Sequence, residues 1–181
     1  TSRSKSPLIN IKKKLAKFDV KIKGIEVDFL KRNWLLEFKK IISKYRIEIL
    51  VNNAGHNLNI TDPYCSINDW KKVLNLNFFA PVQICNLVIP KMKTLGWGRI
   101  VNITSCAGLE NTGPITYGVS KSSLTTYTRT MGRILATEVD EVVMTAVFPG
   151  VILTKGGHWE KVIKKDPNKA KKYLEERCPL G

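Results

Sequence analysis

The sequence predicts an α/β fold built on a parallel sheet, and three observations predict it. Short apolar, β-branched runs alternate with helical patterns, the order expected of βαβ units with right-handed crossovers. The runs at 47–51, 99–104 and 142–148 each lead into small or polar residues, and in open α/β sheets ligands bind outside the carboxyl ends of the strands. The chain is 181 residues long and 43% hydrophobic. That suits one globular domain over residues 1–181, burying roughly 70% of its unfolded surface.

In chain order, Pro7 suits a first helical position. Leu8, Ile11, Leu15 and Phe18 then recur at helical spacing. Ile22, Ile25 and Val27 predict a short strand ending at Asp28. A second helix starts near Asn33 and carries Leu35, Phe38, Ile42 and Tyr45. Ile47 to Val51 reads as a fully buried parallel strand. It leads into Asn52-Asn53-Ala54-Gly55, where small residues let the backbone approach something closely. Helical patterns cover Trp70 to Leu74 and Phe79 to Met92. Gly98 to Thr104 is a strand, Ile115 to Glu138 a long helix, and Val142 to Phe148 a strand ending at Pro149-Gly150. From Leu153 the chain is polar and helical.

Composition narrows the function. Thirty Lys and Arg against 15 acids give a net charge of +15. The excess is mostly Lys on helix faces, such as Lys12-Lys13-Lys14 and Lys164-Lys165. It is not a basic stripe interleaved with aromatics, so a solvated surface is favoured over nucleic-acid binding. No apolar run approaches the roughly 20 residues of a membrane span. Cys65, Cys85, Cys106 and Cys178 are scattered, and His56 and His158 are isolated, so no metal site is expected. Free thiols suit a reducing, cytoplasmic compartment.

The chemistry lies between Ser105 and Lys121. Tyr117 and Lys121 stand at i and i+4, so they share a helix face. A Lys cation beside a phenol is expected to lower its pKa from about 10 and fit it for general acid–base work. Ser105, at the end of a strand, can hydrogen-bond the same substrate oxygen. An ordinary exposed pair is the competing reading, and further stretches in the right order argue against it.

Those stretches are Asn52-Asn53-Ala54-Gly55, the segment from Trp70 to Asn77, the run from Gly98 to Ser105, and Pro149-Gly150 through Thr154. With Tyr117 and Lys121 they resemble the short-chain dehydrogenase/reductase family, and within it the 3-oxoacyl-carrier-protein reductase-like members. The resemblance covers the whole chain and implies a Rossmann-like, doubly wound parallel sheet. It implies an oxidoreductase that interconverts a small-molecule carbonyl and a secondary alcohol. Asn77, Ser105, Tyr117 and Lys121 match the catalytic positions. Ser2, Arg3, Asp28, Asn53, Ala54, Gly55, Tyr117, Lys121, Pro149, Gly150 and Thr154 match the cofactor-binding ones. Arg3 falls where the adenosine ribose is read, and an Arg pairs with a 2′-phosphate, so NADP(H) is favoured over NAD(H). A surface Arg with no ligand is the alternative. The resemblance also implies a dimer or tetramer formed through the helices near 77–93 and 115–138. Leu87, Val88 and Leu124 suit such a face or, equally, a core.

The departures from the family pattern matter as well. The family's first strand, its Gly-rich turn and the following helix have no counterpart here, nor has the last strand. The sheet is therefore expected to be incomplete and split, with exposed edges. The chain reads as a fragment open at both ends, expected to bind NADP(H) weakly and to fold marginally by itself. A non-catalytic truncated relative that acts as a binding or assembly partner is the alternative reading. Substrate would be read by residues 109–116 and by His158 and Trp159, the latter as a substrate wall or a lid-helix anchor. His56 stands where a small apolar residue is commoner. Glu176 to Gly181 resembles the return toward the last family strand.

Overall fold

The computed structural model describes residues 1–3, 5–110 and 112–177. Cys178 and most of the Glu176–Gly181 stretch lie outside them. The described strands β1 (Ile49–Asn52), β2 (Gly98–Ile103) and β3 (Val142–Val147) form a parallel sheet in the order β1-β2-β3. Ile49 pairs with Arg99 and Gly98 with Val142, so the three carboxyl ends finish side by side. The chain is thus an α/β protein with a parallel sheet, as its strand–helix alternation predicts.

Helices α1 (Lys5–Leu15), α2 (Trp34–Ile42), α3 (Ile67–Leu74), α4 (Ala80–Leu95), α5 (Ile115–Glu138), α6 (His158–Lys165) and α7 (Pro167–Arg177) connect and flank the strands. Ser66 starts α3 by accepting the Asp69 N–H on its hydroxyl, which satisfies one of the free donors of the first turn. Asn75–Phe79 joins α3 to α4 through one wide π turn. Pro81 supplies a reason: it has no N–H to donate to the Asn77 carbonyl, its α-helical acceptor. The resulting Ile67–Leu95 helix is long and apolar enough to span a bilayer, unlike the runs read from sequence, but half of its most apolar window is buried in the protein. Met92, Ile100, Leu135 and Val142 are among its buried neighbours and members in the core, each contributing about 1.5–3 kcal/mol by leaving water.

Three expectations need correction. Residues 22–28 form no strand: Ser2 and Glu26 make a lone parallel bridge, with Ser2 N–H donating to Ile25 O and Val27 N–H to Ser2 O. A strand requires a paired neighbour over several residues, and here Ser2 supplies one position. β1 is not fully buried: it pairs with β2 on one edge, and Ile49 and Val51 are more than half exposed. Beside it, a cavity of about 170 Å³ separates Val51–Ala54 from Thr1 and Phe29. Helix α1 starts at Lys5 rather than Pro7, and Ile11 and Phe18 face solvent. Of the two readings open for Val88 and Leu124, burial selects the core.

Candidate functional site

The sheet's carboxyl ends are cross-tied before any catalytic side chain is placed. The Asn52 amide donates to Asn102 Oδ1 at 2.8 Å, and Asn102 Nδ2 donates to Thr128 Oγ1 at 2.8 Å. This buried chain of polar groups links β1 and β2 to α5 with its members hydrogen-bonded, as buried polar groups must be. Thr104 N–H and Oγ1 both donate to Val147 O, and Cys106 N–H donates to Pro149 O. The ends of β2 and β3 are therefore held together.

Ser105 follows β2 in an extended conformation and caps the short 3₁₀ turn Cys106–Gly108, accepting the Ala107 N–H on its hydroxyl. That turn lies directly on α5. A Cβ at Gly108 would sit 2.8 Å from Ser122 N and 2.9 Å from the Lys121 carbonyl carbon, so the close approach requires glycine. Ser122 Oγ donates to Gly108 O and locks the contact. Ser105 is thereby brought close enough to Tyr117 for its hydroxyl to act on the phenol's ionisation.

Lys121 is 3% exposed. Its ammonium donates to Ile103 O at 2.8 Å and lies 5.7 Å from the Tyr117 ring centroid. Burial lowers its pKa from 10.5 to about 8. The expected depression of the Tyr117 pKa is not found. Burial pushes the half-buried phenol above its ordinary value, and the Ser105 hydroxyl only offsets part of this. The physical reason is burial: taking the phenol out of water disfavours its anion, while Lys121 spends one of its three donors on the Ile103 carbonyl.

Asn77 sits in the middle of the π turn and is fully buried. Its side chain is used at both ends: Oδ1 accepts the His56 N–H at 2.9 Å, and Nδ2 donates to His56 O at 3.0 Å. A Cβ on Gly55 would be 2.9 Å from both Asn77 Oδ1 and Lys121 Nζ. Gly55, Asn77 and Lys121 therefore converge at one point, with the Tyr117 ring centroid 5.7 Å from the lysine ammonium.

The remaining predicted positions are spread along the same rim. Asn53, Ala54 and Gly55 are exposed beyond β1, while Pro149 is half-buried and Gly150 exposed beyond β3. Thr154 is exposed, and its carbonyl accepts the Gly157 N–H ahead of α6. Arg3 is exposed just past the Ser2–Glu26 bridge, with Asp28 nearby accepting the Leu30 N–H. Ser2, Arg3 and Asp28 stand apart from the three-stranded sheet. Trp159 stacks on Tyr173 at 4.7 Å between α6 and α7, the contact of a helix anchor. Sequence reasoning missed Pro81, although a proline inside a helical pattern signals a break. It also left His56 without a role. No local signal reveals that its backbone is gripped by a residue 21 positions away.

Comparison with known proteins agrees with this architecture. The family model described as short chain dehydrogenase matches residues 1–161. The chain is 32% identical over 168 residues to a 3-oxoacyl-[acyl-carrier-protein] reductase of Aquifex aeolicus, covering 91% of this chain and 64% of that protein. It is 33% identical over 145 residues to the reductase of the same name from Thermotoga maritima, covering 79% of this chain and 56% of that protein. The chain thus spans a little under two thirds of these curated relatives' length. A 3-oxoacyl (acyl-carrier-protein) reductase from Agrobacterium tumefaciens, solved with NADP bound, superposes with a TM-score of 0.83 at 20% identity, covering 96% of this chain and 66% of that one. At that identity the likeness concerns the fold, which is the Rossmann fold. By the extent of the family match, the chain belongs to the short-chain dehydrogenase family.

Proposed function

We propose that the protein carrying this chain is an NADP(H)-dependent oxidoreductase that interconverts a carbonyl and a secondary alcohol. The observation that carries the reading is the convergence of Ser105, Tyr117, Lys121 and Asn77 on the rim where β1, β2 and β3 end.

Tyr117 is the proton donor to the substrate oxygen. Its raised pKa keeps the phenol neutral, which suits donation during carbonyl reduction. Ser105 hydrogen-bonds the same oxygen and fixes its position. Lys121, its pKa lowered to about 8 by burial, exchanges protons readily and would hold the ribose hydroxyls of the cofactor. Pro81 removes the α-helical donor from the Asn77 carbonyl, and Asn77 would hold a water linking Lys121 to solvent.

The residues present fit a nicotinamide dinucleotide. Gly55 lets the rim after β1 close down onto Lys121 and Asn77, with both of which a Cβ there would collide, so the lysine is seated at the edge where the cofactor would lie. Asn53, Ala54, Pro149, Gly150 and Thr154 would line the cofactor. Arg3, with Ser2 and Asp28, would read the adenosine end and favour the 2′-phosphate of NADP. When bound, the cofactor supplies the hydride, while the protein supplies orientation and electrostatics.

The names of the relatives support 3-oxoacyl thioesters as the first substrates to test. Free Cys65, Cys85 and Cys106 support a cytoplasmic setting. Exposed Ile115, Val119 and Ile134 on α5 support assembly into a dimer or tetramer. The test is NADPH oxidation by the intact protein over a panel of 3-oxoacyl thioesters, sugars and ketones. Turnover with at least one carbonyl is expected. Absence of turnover across the panel, with NADPH and with NADH, would overturn the proposal.

A further inference from the structure

We infer that His56 is a positioning residue for the Asn77–Lys121 pair: its imidazole, accepting at Nδ1, locks the turn that keeps the backbone at residues 55–56 seated on the Asn77 amide. The inference rests on the reading of Lys121 as a member of the site. Four observations lead to it.

The His56 backbone makes two hydrogen bonds to the Asn77 side chain, at 2.9 and 3.0 Å. Any rotation of the 56–57 peptide breaks at least one of them. Next, the Leu58 N–H donates to His56 Nδ1 at 2.7 Å. This requires the ring tautomer with its proton on Nε2 and fixes the imidazole against its own backbone. Third, Leu58 has φ 55° and Asn59 φ 60°, left-handed backbone that a leucine side chain disfavours. Such a conformation persists where the surroundings hold it. Here the holding groups are the Ile60 N–H donating to Asn57 O across the turn, His56 Nδ1 on Leu58, Asn57 Oδ1 on the Asn59 N–H, and the packing of Leu58 against the core. Lastly, Gly55 is the residue whose missing Cβ leaves Lys121 and Asn77 their place.

Without the imidazole acceptor, Leu58 loses the hydrogen bond to its own N–H, and the strained backbone relaxes toward negative φ against the remaining holds. The 56–57 peptide then turns, the Asn77 bonds loosen, and Gly55 lifts from Lys121. Water reaches the ammonium. His56 itself is exposed, so its replacement leaves the hydrophobic core untouched. Asparagine at this position can also accept an N–H two residues ahead, in an Asx turn. Phenylalanine keeps the ring's bulk and has no acceptor.

The experiment follows Lys121 ionisation by NMR of its side chain in the intact protein, without cofactor or substrate. It compares the wild type with His56→Asn, His56→Ala and His56→Phe. Because nothing is turned over, the result is independent of whether the protein reduces carbonyls. The Ala and Phe variants are expected to raise the Lys121 pKa by about one unit as burial is lost, and the Asn variant to keep the wild-type value. Unchanged Lys121 ionisation in the Ala and Phe variants would overturn the inference. So would an equal shift in all three.

Discussion

Gly55 and Lys121 meet so closely that no side chain fits between them: a Cβ on Gly55 would lie 2.9 Å from the lysine Nζ. The lysine cannot easily yield, because its ammonium is held by Ile103 O at 2.8 Å. Asn77 Oδ1 blocks the other direction at the same 2.9 Å. Gly55→Ala is therefore expected to lower turnover at least about tenfold and to cost about 1–3 kcal/mol of stability through overpacking. Steady-state kinetics and urea denaturation of the variant check both.

Lys121 gives a signed pH dependence of stability. Its pKa is about 8 in the fold against 10.5 ordinarily. Between these values the unfolded chain keeps a proton that the folded chain has released, so stability rises with pH. Below pH 8 the buried ammonium weakens the fold by about 3 kcal/mol at most, at 1.36 kcal/mol per unit. Lys121→Met lacks this slope. The stability of the wild type relative to Lys121→Met should increase from pH 8 to pH 10, as read from denaturation midpoints. Taking the difference cancels the opposite slope from Cys85, whose pKa burial raises to about 11.

Asn102 ties two elements at once, accepting from Asn52 and donating to Thr128. Asn102→Ala leaves polar groups on β1 and α5 without these partners inside the protein. A loss of about 2–4 kcal/mol is expected. A double-mutant cycle with Thr128→Val should show coupling, since the two share one hydrogen bond.

Arg3 tests the cofactor proposal. Arg3→Asp replaces a guanidinium that suits a 2′-phosphate with a carboxylate that repels one. The NADPH-to-NADH preference, measured as a ratio of kcat/KM, should fall by about tenfold or more. An unchanged ratio would remove Arg3 from the site.

Legibility in the sequence followed how local each feature is. Helix α5 spans Ile115–Glu138, as its pattern predicts, because it is long and has Pro114 at its N-cap. Strands β2 and β3 stand where their apolar runs place them. The 22–28 segment was misread because strand propensity in Ile25 and Val27 says nothing of whether a partner lies alongside. Ile49 and Val51 were misread for the same reason. An apolar run suits a covered strand, yet β1 is paired on one edge. At the site, the i, i+4 spacing brought Tyr117 and Lys121 together correctly. It could not show that the lysine donates to Ile103 O, 18 positions away, or that burial of the phenol sets the direction of the Tyr117 shift.

The most direct test of the central claim is turnover of Tyr117→Phe in the intact protein, with NADPH binding measured alongside. Phenylalanine keeps the ring and removes the proton. The account predicts a fall in kcat of about 100-fold or more with NADPH affinity little changed. Near-normal turnover would contradict it, since Tyr117 would then not be the acid that protonates the substrate oxygen.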